Sequence, residues 1–249
     1  MFEIIIIVMH ESSYLRMQWF RDKFLNNQKN YKILDVGSYG VNGTYKELFN
    51  DERFSYTGLD ISEGPNVDIV PKNIYEWKEI ENDEFDVIIS GQAFEHIEFF
   101  WITMQEIARV LKKDGLVCII APNGFGEHRY PVDCWRFFSD GMVALARWTN
   151  LKVIHAHTNC APSFKQHKWF SLSNADSLLV AQKEYSGKPE FNTDNYQCVP
   201  LSEVQKHQDF ISDKRYYSRL QSKLIVPINM LFSITTRIAR KISSKLKKP

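Results

Sequence analysis

Cysteine is scarce and scattered in this chain of 249 residues: Cys118, Cys134, Cys160 and Cys198 stand far apart, with no C-x-x-C pair. That spacing signals neither a disulfide scaffold nor a structural zinc site, and reduced thiols in a cytoplasmic protein are expected. Long apolar runs are missing too. The longest near the N-terminus, Ile4 to Met9, is too short for a bilayer span or a secretory core, and no small-residue cleavage pattern follows it; no export is expected. Eleven glycines and nine prolines are too few for a collagen-like or low-complexity chain, and 44% hydrophobic with 24% charged residues excludes disorder. No internal repeat is visible. The net charge is only +1, but it is unevenly spread: from Asp213 onward ten Lys or Arg face one acid, a balance of +9 that leaves −8 for residues 1–212. An acidic body is not the footprint of a nucleic-acid-binding core, and the basic tail points to an anionic surface.

What the chain does have is length for one domain with a full core plus an appendage. Short β-branched runs alternate with longer helical patterns, the mark of an α/β chain with a parallel sheet covered on both faces. Strands are expected at Lys32–Val36, Tyr56–Asp60, Val67–Val70, Phe85–Ser90, Leu116–Ala121, Lys152–Thr158 and Ser177–Gln182. Helices are expected at Glu98–Leu111, stopped by the turn Lys112-Lys113-Asp114-Gly115, and at Asp140–Thr149. An N-terminal helical segment within residues 1–30 starts near Ser12 or Ser13 as N-cap, with Met9 as an alternative translation start. Residues 186–212 read as a linker or lid. In the tail, residues 213–249, Leu231, Ile234, Ile238, Ile242 and Leu246 share one helical face with Arg237, Arg240, Lys247 and Lys248 opposite. This basic amphipathic helix either lies peripherally on an anionic inner membrane leaflet or packs on its own domain or in a dimer.

The most specific motif runs from Tyr31 to Gly43, an apolar strand entering a glycine-rich turn: Asp35-x-Gly37-Ser38-Tyr39-Gly40-x-x-Gly43. Such a turn brings bare backbone N–H groups to a ligand. A carboxylate two residues before the first glycine suits a cation and would repel a pyrophosphate. The second strand ends at Asp60, where an acid accepts both hydroxyls of a ribose. These features resemble the class I S-adenosylmethionine-dependent methyltransferases over roughly residues 31–185. The resemblance implies a Rossmann-like, mostly parallel seven-stranded sheet with an antiparallel last strand, and S-adenosylmethionine as cofactor. It places Asp35, Gly37, Ser38, Tyr39 and Gly40 at the methionine end, Asp60 at the ribose and Ile61 beside adenine. Asn73, with Ile74, stands where the family usually has an acid near the adenine amine. Ser90, Gly91 and Gln92 end the next strand, and Glu95-His96-Ile97 resembles the family's entry to the following helix.

Methyl transfer from a sulfonium is an in-line displacement, so a nucleophile must be aligned and, for a hydroxyl, deprotonated. The stretch Pro122–Phe137 is dense in titratable and aromatic groups, and its His-Arg-Tyr-Pro-x-Asp-x-Trp-Arg-Phe pattern resembles a loop of bacterial methyltransferases of cell-surface polysaccharide synthesis. His128 is the candidate base, with Asp133 and Arg136 orienting the acceptor and His96 or Glu95 as the alternative base. Each has a plainer reading: His96 as a structural hydrogen-bond partner, Arg136 paired with Asp133 inside the loop, Trp135 and Phe137 as loop anchors. No metal is expected, Glu127, His128 and Asp133 being the alternative ligand set. Ser90-Gly91-Gln92-Ala93 lacks the Pro-Pro-aromatic motif of DNA amino-methylating enzymes, so flipped-base chemistry and nucleic-acid partners are not expected. The expected acceptor is a small polar molecule, a sugar or phosphorylated precursor of capsule or lipopolysaccharide. Methylation of a quinone precursor and a non-catalytic nucleotide-binding scaffold remain as alternatives.

Overall fold

Alternation at period two builds the core. Along β1 (Tyr31–Val36), Ile33 faces one side and Leu34 and Val36 the other; Val87 and Ile89 oppose Ile88 in β3 (Phe85–Gly91). In β4 (Leu111–Gly124), Cys118 and Ile120 oppose Val117 and Ile119. Strands apolar on both faces must be covered on both, as parallel strands are. The computed structural model describes residues 11–25, 29–40, 43–124, 126–158 and 175–190. These all lie in the first of two compact units, Met1–Ser212; the second, Asp213–Pro249, on which the expected amphipathic helix falls, lies outside the described residues, as do residues 1–10 and most of the expected linker.

With β2 (Phe54–Leu59), β5 (Lys152–Thr158) and β6 (Ala175–Gln182), the described residues form a six-stranded sheet of order β2-β1-β3-β4-β6-β5, in which only β6 runs antiparallel to its neighbours. One face packs Met104 and Ile107 of α2 (Phe100–Val110) with Met142, Leu145 and Ala146 of α3 (Ser139–Trp148). The other packs Met17 and Phe20 of α1 (Glu11–Phe24) with Leu48 and Phe49 of a short 3-10 turn. Spacing of three and four along α2 brings Thr103, Met104, Ile107 and Val110 to the sheet. No helix among the described residues is long and apolar enough to cross a membrane.

The structure departs from the sequence expectations in three places. The seventh strand, Val67–Val70, contributes one isolated bridge, Leu59↔Ile69. There Asp68 and Ile69 both donate to the Gly58 carbonyl and Ile69 accepts from Asp60, an irregular pairing with the end of β2, and Pro71 ends any ladder. The turn Lys112–Gly115 does end α2, but inside β4: register jumps from Phe85↔Leu111 to Val87↔Leu116, and Asp114 takes φ +64° in the bulge. Finally, α1 starts at Glu11, so Ser12 and Ser13 do not cap it. Ser12 Oγ donates to Asp176 (2.7 Å) and Ser13 Oγ shares a proton with Tyr45 Oη (2.6 Å), both far away in the chain.

Candidate active site

Parallel strands deliver their loops to one end of the sheet, and there the ends of β1, β2 and β3 with the loop after β4 enclose a cavity of about 810 Å³. Asp35, the next-to-last residue of β1, forms part of its wall and is 2% exposed. The Tyr56 hydroxyl donates to its Oδ2, while Oδ1 is buried without a hydrogen-bond partner among the described residues. Burial pushes this carboxyl up to about 7, with Asp60 adding to the rise and the Tyr56 hydrogen bond opposing it. The turn that follows requires glycine at position 37, where φ is +84° and a Cβ would sit 2.3 Å from that of Ala93. Gly37 and Ser38 both donate to the Leu59 carbonyl, which draws the ends of β1 and β2 together. Asp60, beyond β2, accepts from the backbone of Tyr39 (2.9 Å) and of Ile61 (2.7 Å), and so holds the two loops at a set separation.

The expected cofactor residues divide. Asp35, Gly37, Ser38, Tyr39, Asp60, Ile61, Ile74, Gly91 and Gln92 all line the cavity. Gly40 lies outside that wall, its N–H bonded to Pro65. Ser90 sits beneath the wall with its hydroxyl donated to Val36, and Asn73 spends its side-chain carbonyl on the N–H of Tyr75, in its own turn. Exposed Ile61 (56%) and Ile74 (44%) give the wall an apolar section next to Asp60. Together these residues fit S-adenosylmethionine: a buried carboxylate with one oxygen left over for a cationic group, an acid for hydroxyls, and two aliphatic side chains for a base.

At the other end of the cavity stand Glu95, His96 and His128. Glu95 is fully buried, neither carboxyl oxygen has a hydrogen-bond partner among the described residues, and burial pushes it up to about 8. His96 Nδ1 meets the Val132 carbonyl (2.5 Å), its Nε2 lies 3.7 Å from Glu95 Oε1, and burial holds its imidazole below the ordinary value. The His128 ring stands edge-on to that of His96, centroids 5.0 Å apart. Asp133 and Arg136 do not line the cavity. Arg136 forks onto Asp133 (2.5 and 2.8 Å), which holds the carboxyl far below the usual range, and Asp133 accepts the His128 backbone N–H (2.7 Å). They brace the loop that carries His128. Trp135 and Phe137 pack edge-on against Phe100, anchoring the same loop, whereas Tyr130 (59% exposed) lines the cavity.

Sequence reasoning missed the network beneath the site. Asp176 of β6 accepts from the buried side chains of Ser12 and Arg16 (3.1 Å) and from Gln92 (3.0 Å), which is only partly buried, and thereby pins α1 to the end of β3. It also missed Tyr45 and Tyr56. None of these carries a local signal, because each partner is fixed only when the strands register.

A family model described as a methyltransferase domain matches residues 10–185. No curated protein matches the chain significantly in sequence. Among solved structures, an S-adenosylmethionine-dependent methyltransferase from Archaeoglobus fulgidus is 13% identical, with TM-score 0.50, over 69% of this chain and 95% of that one. A Pyrococcus horikoshii protein is 16% identical, with TM-score 0.50, over 72% and 93%. The [4+2]-cyclase SpnF is 15% identical, with TM-score 0.51, over 68% and 80%. At such identities the likeness concerns the fold alone, and the cyclase among them is a reminder that a fold does not set a reaction. Family membership rests instead on the sequence model, whose 176 residues span the helix, the sheet and every wall of the cavity: this chain belongs to the methyltransferase-domain family.

Proposed function

We propose that the protein transfers a methyl group from S-adenosylmethionine to an oxygen of a small polar acceptor, a sugar or a phosphorylated precursor of surface polysaccharide. The observation that carries this reading is one cavity with two unlike ends: a buried carboxylate and a ribose-type acid at one, and a carboxyl with two imidazoles at the other. When bound, the cofactor supplies a sulfonium methyl carbon that a nucleophile displaces in line. Asp35 meets its positive charge, Asp60 its hydroxyls, and Ile61 and Ile74 the faces of its base. His128, held through its backbone by Asp133, takes the proton of the acceptor hydroxyl, and the exposed ring of Tyr130 offers a platform for the apolar face of a sugar.

The acceptor class is tested by incubating the protein with labelled S-adenosylmethionine and three panels: nucleotide sugars, small phosphorylated metabolites, and quinone precursors. Label carried onto a hydroxyl of the first two panels is the expected result. Label on the quinone panel alone would replace the acceptor assignment, to which the basic tail is also suited. Cofactor binding with no transfer to any panel would favour a non-catalytic scaffold.

A further inference from the structure

We propose that Glu95, His96 and His128 form a site for a divalent first-row transition cation of the zinc class. Two imidazoles and one carboxylate are the donor set such cations take, and here one atom from each side chain lies within 4.8 Å of the other two. Bonds of about 2.0–2.2 Å to a shared ion set ligand atoms roughly 3–3.5 Å apart. The 3.7 Å between His96 Nε2 and Glu95 Oε1 is close to that span and too long for a hydrogen bond. His128 completes the set, its donor atom within 4.8 Å of the other two.

The surroundings are those of a ligand set. Glu95 is 0% exposed, yet among the described residues both its oxygens lack a hydrogen-bond partner, a costly arrangement for buried polar atoms unless something else occupies them. The contact of His96 Nδ1 with the Val132 carbonyl places the proton on that nitrogen, and Nε2 then carries the lone pair facing Glu95. His128 Nδ1 lies 3.2 Å from the Gly126 carbonyl and 3.6 Å from Asp133 Oδ2, the carbonyl and carboxylate neighbours that orient metal-bound imidazoles. All three donors line the cavity, so a cation held by them keeps open positions toward an acceptor. The use of such a cation rests on the reading of this end as the acceptor's place; the binding of a cation does not. With it bound, His128 serves as a ligand instead of a proton acceptor.

The test uses the full chain, stripped with chelator and titrated with Zn²⁺ by calorimetry. Co²⁺ serves as a spectroscopic probe, Mg²⁺ as competitor, and S-adenosylmethionine affinity is measured on the same samples. The expected result is one equivalent of Zn²⁺, a visible Co²⁺ absorption band, and no displacement by Mg²⁺. Glu95→Gln, His96→Gln and His128→Gln should each weaken Zn²⁺ at least tenfold with cofactor affinity kept, while His155→Gln, in β5 with its ring against Trp19 and outside the cavity lining, changes nothing. A variant that loses cofactor binding has lost its fold, and the remaining two then decide. No stoichiometric Zn²⁺ on the parent, unchanged affinity in the folded variants, or loss only in His155→Gln would overturn the proposal, and each leaves the cofactor reading standing.

Discussion

Acid should loosen the cofactor, and Asp35 should account for the loss. Its carboxyl is buried against the wall of the cavity and pushed up to about 7, so below neutrality the empty protein holds it protonated. A cationic ligand favours the ionised form, and binding must then release a proton wherever the pH lies below that value. From pH 7.5 to 5.5 the ionised fraction of such a group falls about 25-fold, which corresponds to ~2 kcal/mol of binding free energy. Calorimetry at several pH values, repeated in two buffers of different ionisation enthalpy, measures both the affinity and the proton count. Asp35→Asn should bind weakly with a flat profile. The same group acts in the opposite sense on the empty protein. A carboxyl raised above its unfolded value contributes stability below about pH 4 that is lost as the pH climbs through about 7, so the empty protein should melt lower at pH 8 than at pH 6, and less so in Asp35→Asn. A flat affinity in the parent, or an equal slope in the variant, would refute the placement of the cation at Asp35.

Three further outcomes follow from other parts of the molecule. His128→Ala should lower turnover about 10²–10⁴-fold with cofactor affinity kept, as read by initial rates on whichever acceptor the screen identifies; a loss under tenfold would move the proton-accepting role to His96 or Glu95. Asp176→Ala removes the carboxylate that pairs with buried Arg16 and should cost about 3–5 kcal/mol in urea unfolding, and a cost below ~1 kcal/mol would show that the network is incidental. For the tail, which lies outside the described residues, the full chain should co-sediment with anionic but not neutral vesicles at low salt, with each engaged cation contributing about 1 kcal/mol. A chain ending near Asp213 should stay in solution and still bind cofactor; equal sedimentation of both would exclude the membrane role.

The Asp35 end of the cavity was legible because its residues are written locally. Asp35, Gly37 and Ser38 lie close together at a strand end, and Asp60 follows the next strand, so strand period and residue type were enough to bring them to one cavity. The end at His128 was only partly so. Asp133 and Arg136 read equally as substrate groups or as a brace until the fork between them and the backbone bond to His128 were seen. Ser12 and Ser13 looked like caps because capping is a local rule, yet their hydroxyls answer to Asp176 and Tyr45, 164 and 32 residues away. Val67–Val70 has the composition of a strand, but Pro71 and the doubled bond to Gly58 leave it an irregular segment with one bridge. The set Glu95, His96 and His128 escaped the search for metal spacing because 32 residues separate the two histidines and only the loop after β4 returns the second to the first.

The central claim, that the cavity between Asp35 and His128 is a methyl-donor site, is tested most directly by titrating the parent chain and Asp60→Ala with S-adenosylmethionine at pH 7.5. The account predicts one-to-one binding by the parent, with a dissociation constant of roughly 1 μM to 1 mM, and marked weakening in Asp60→Ala without loss of fold. No binding by the parent, or equal binding by both proteins, would contradict it.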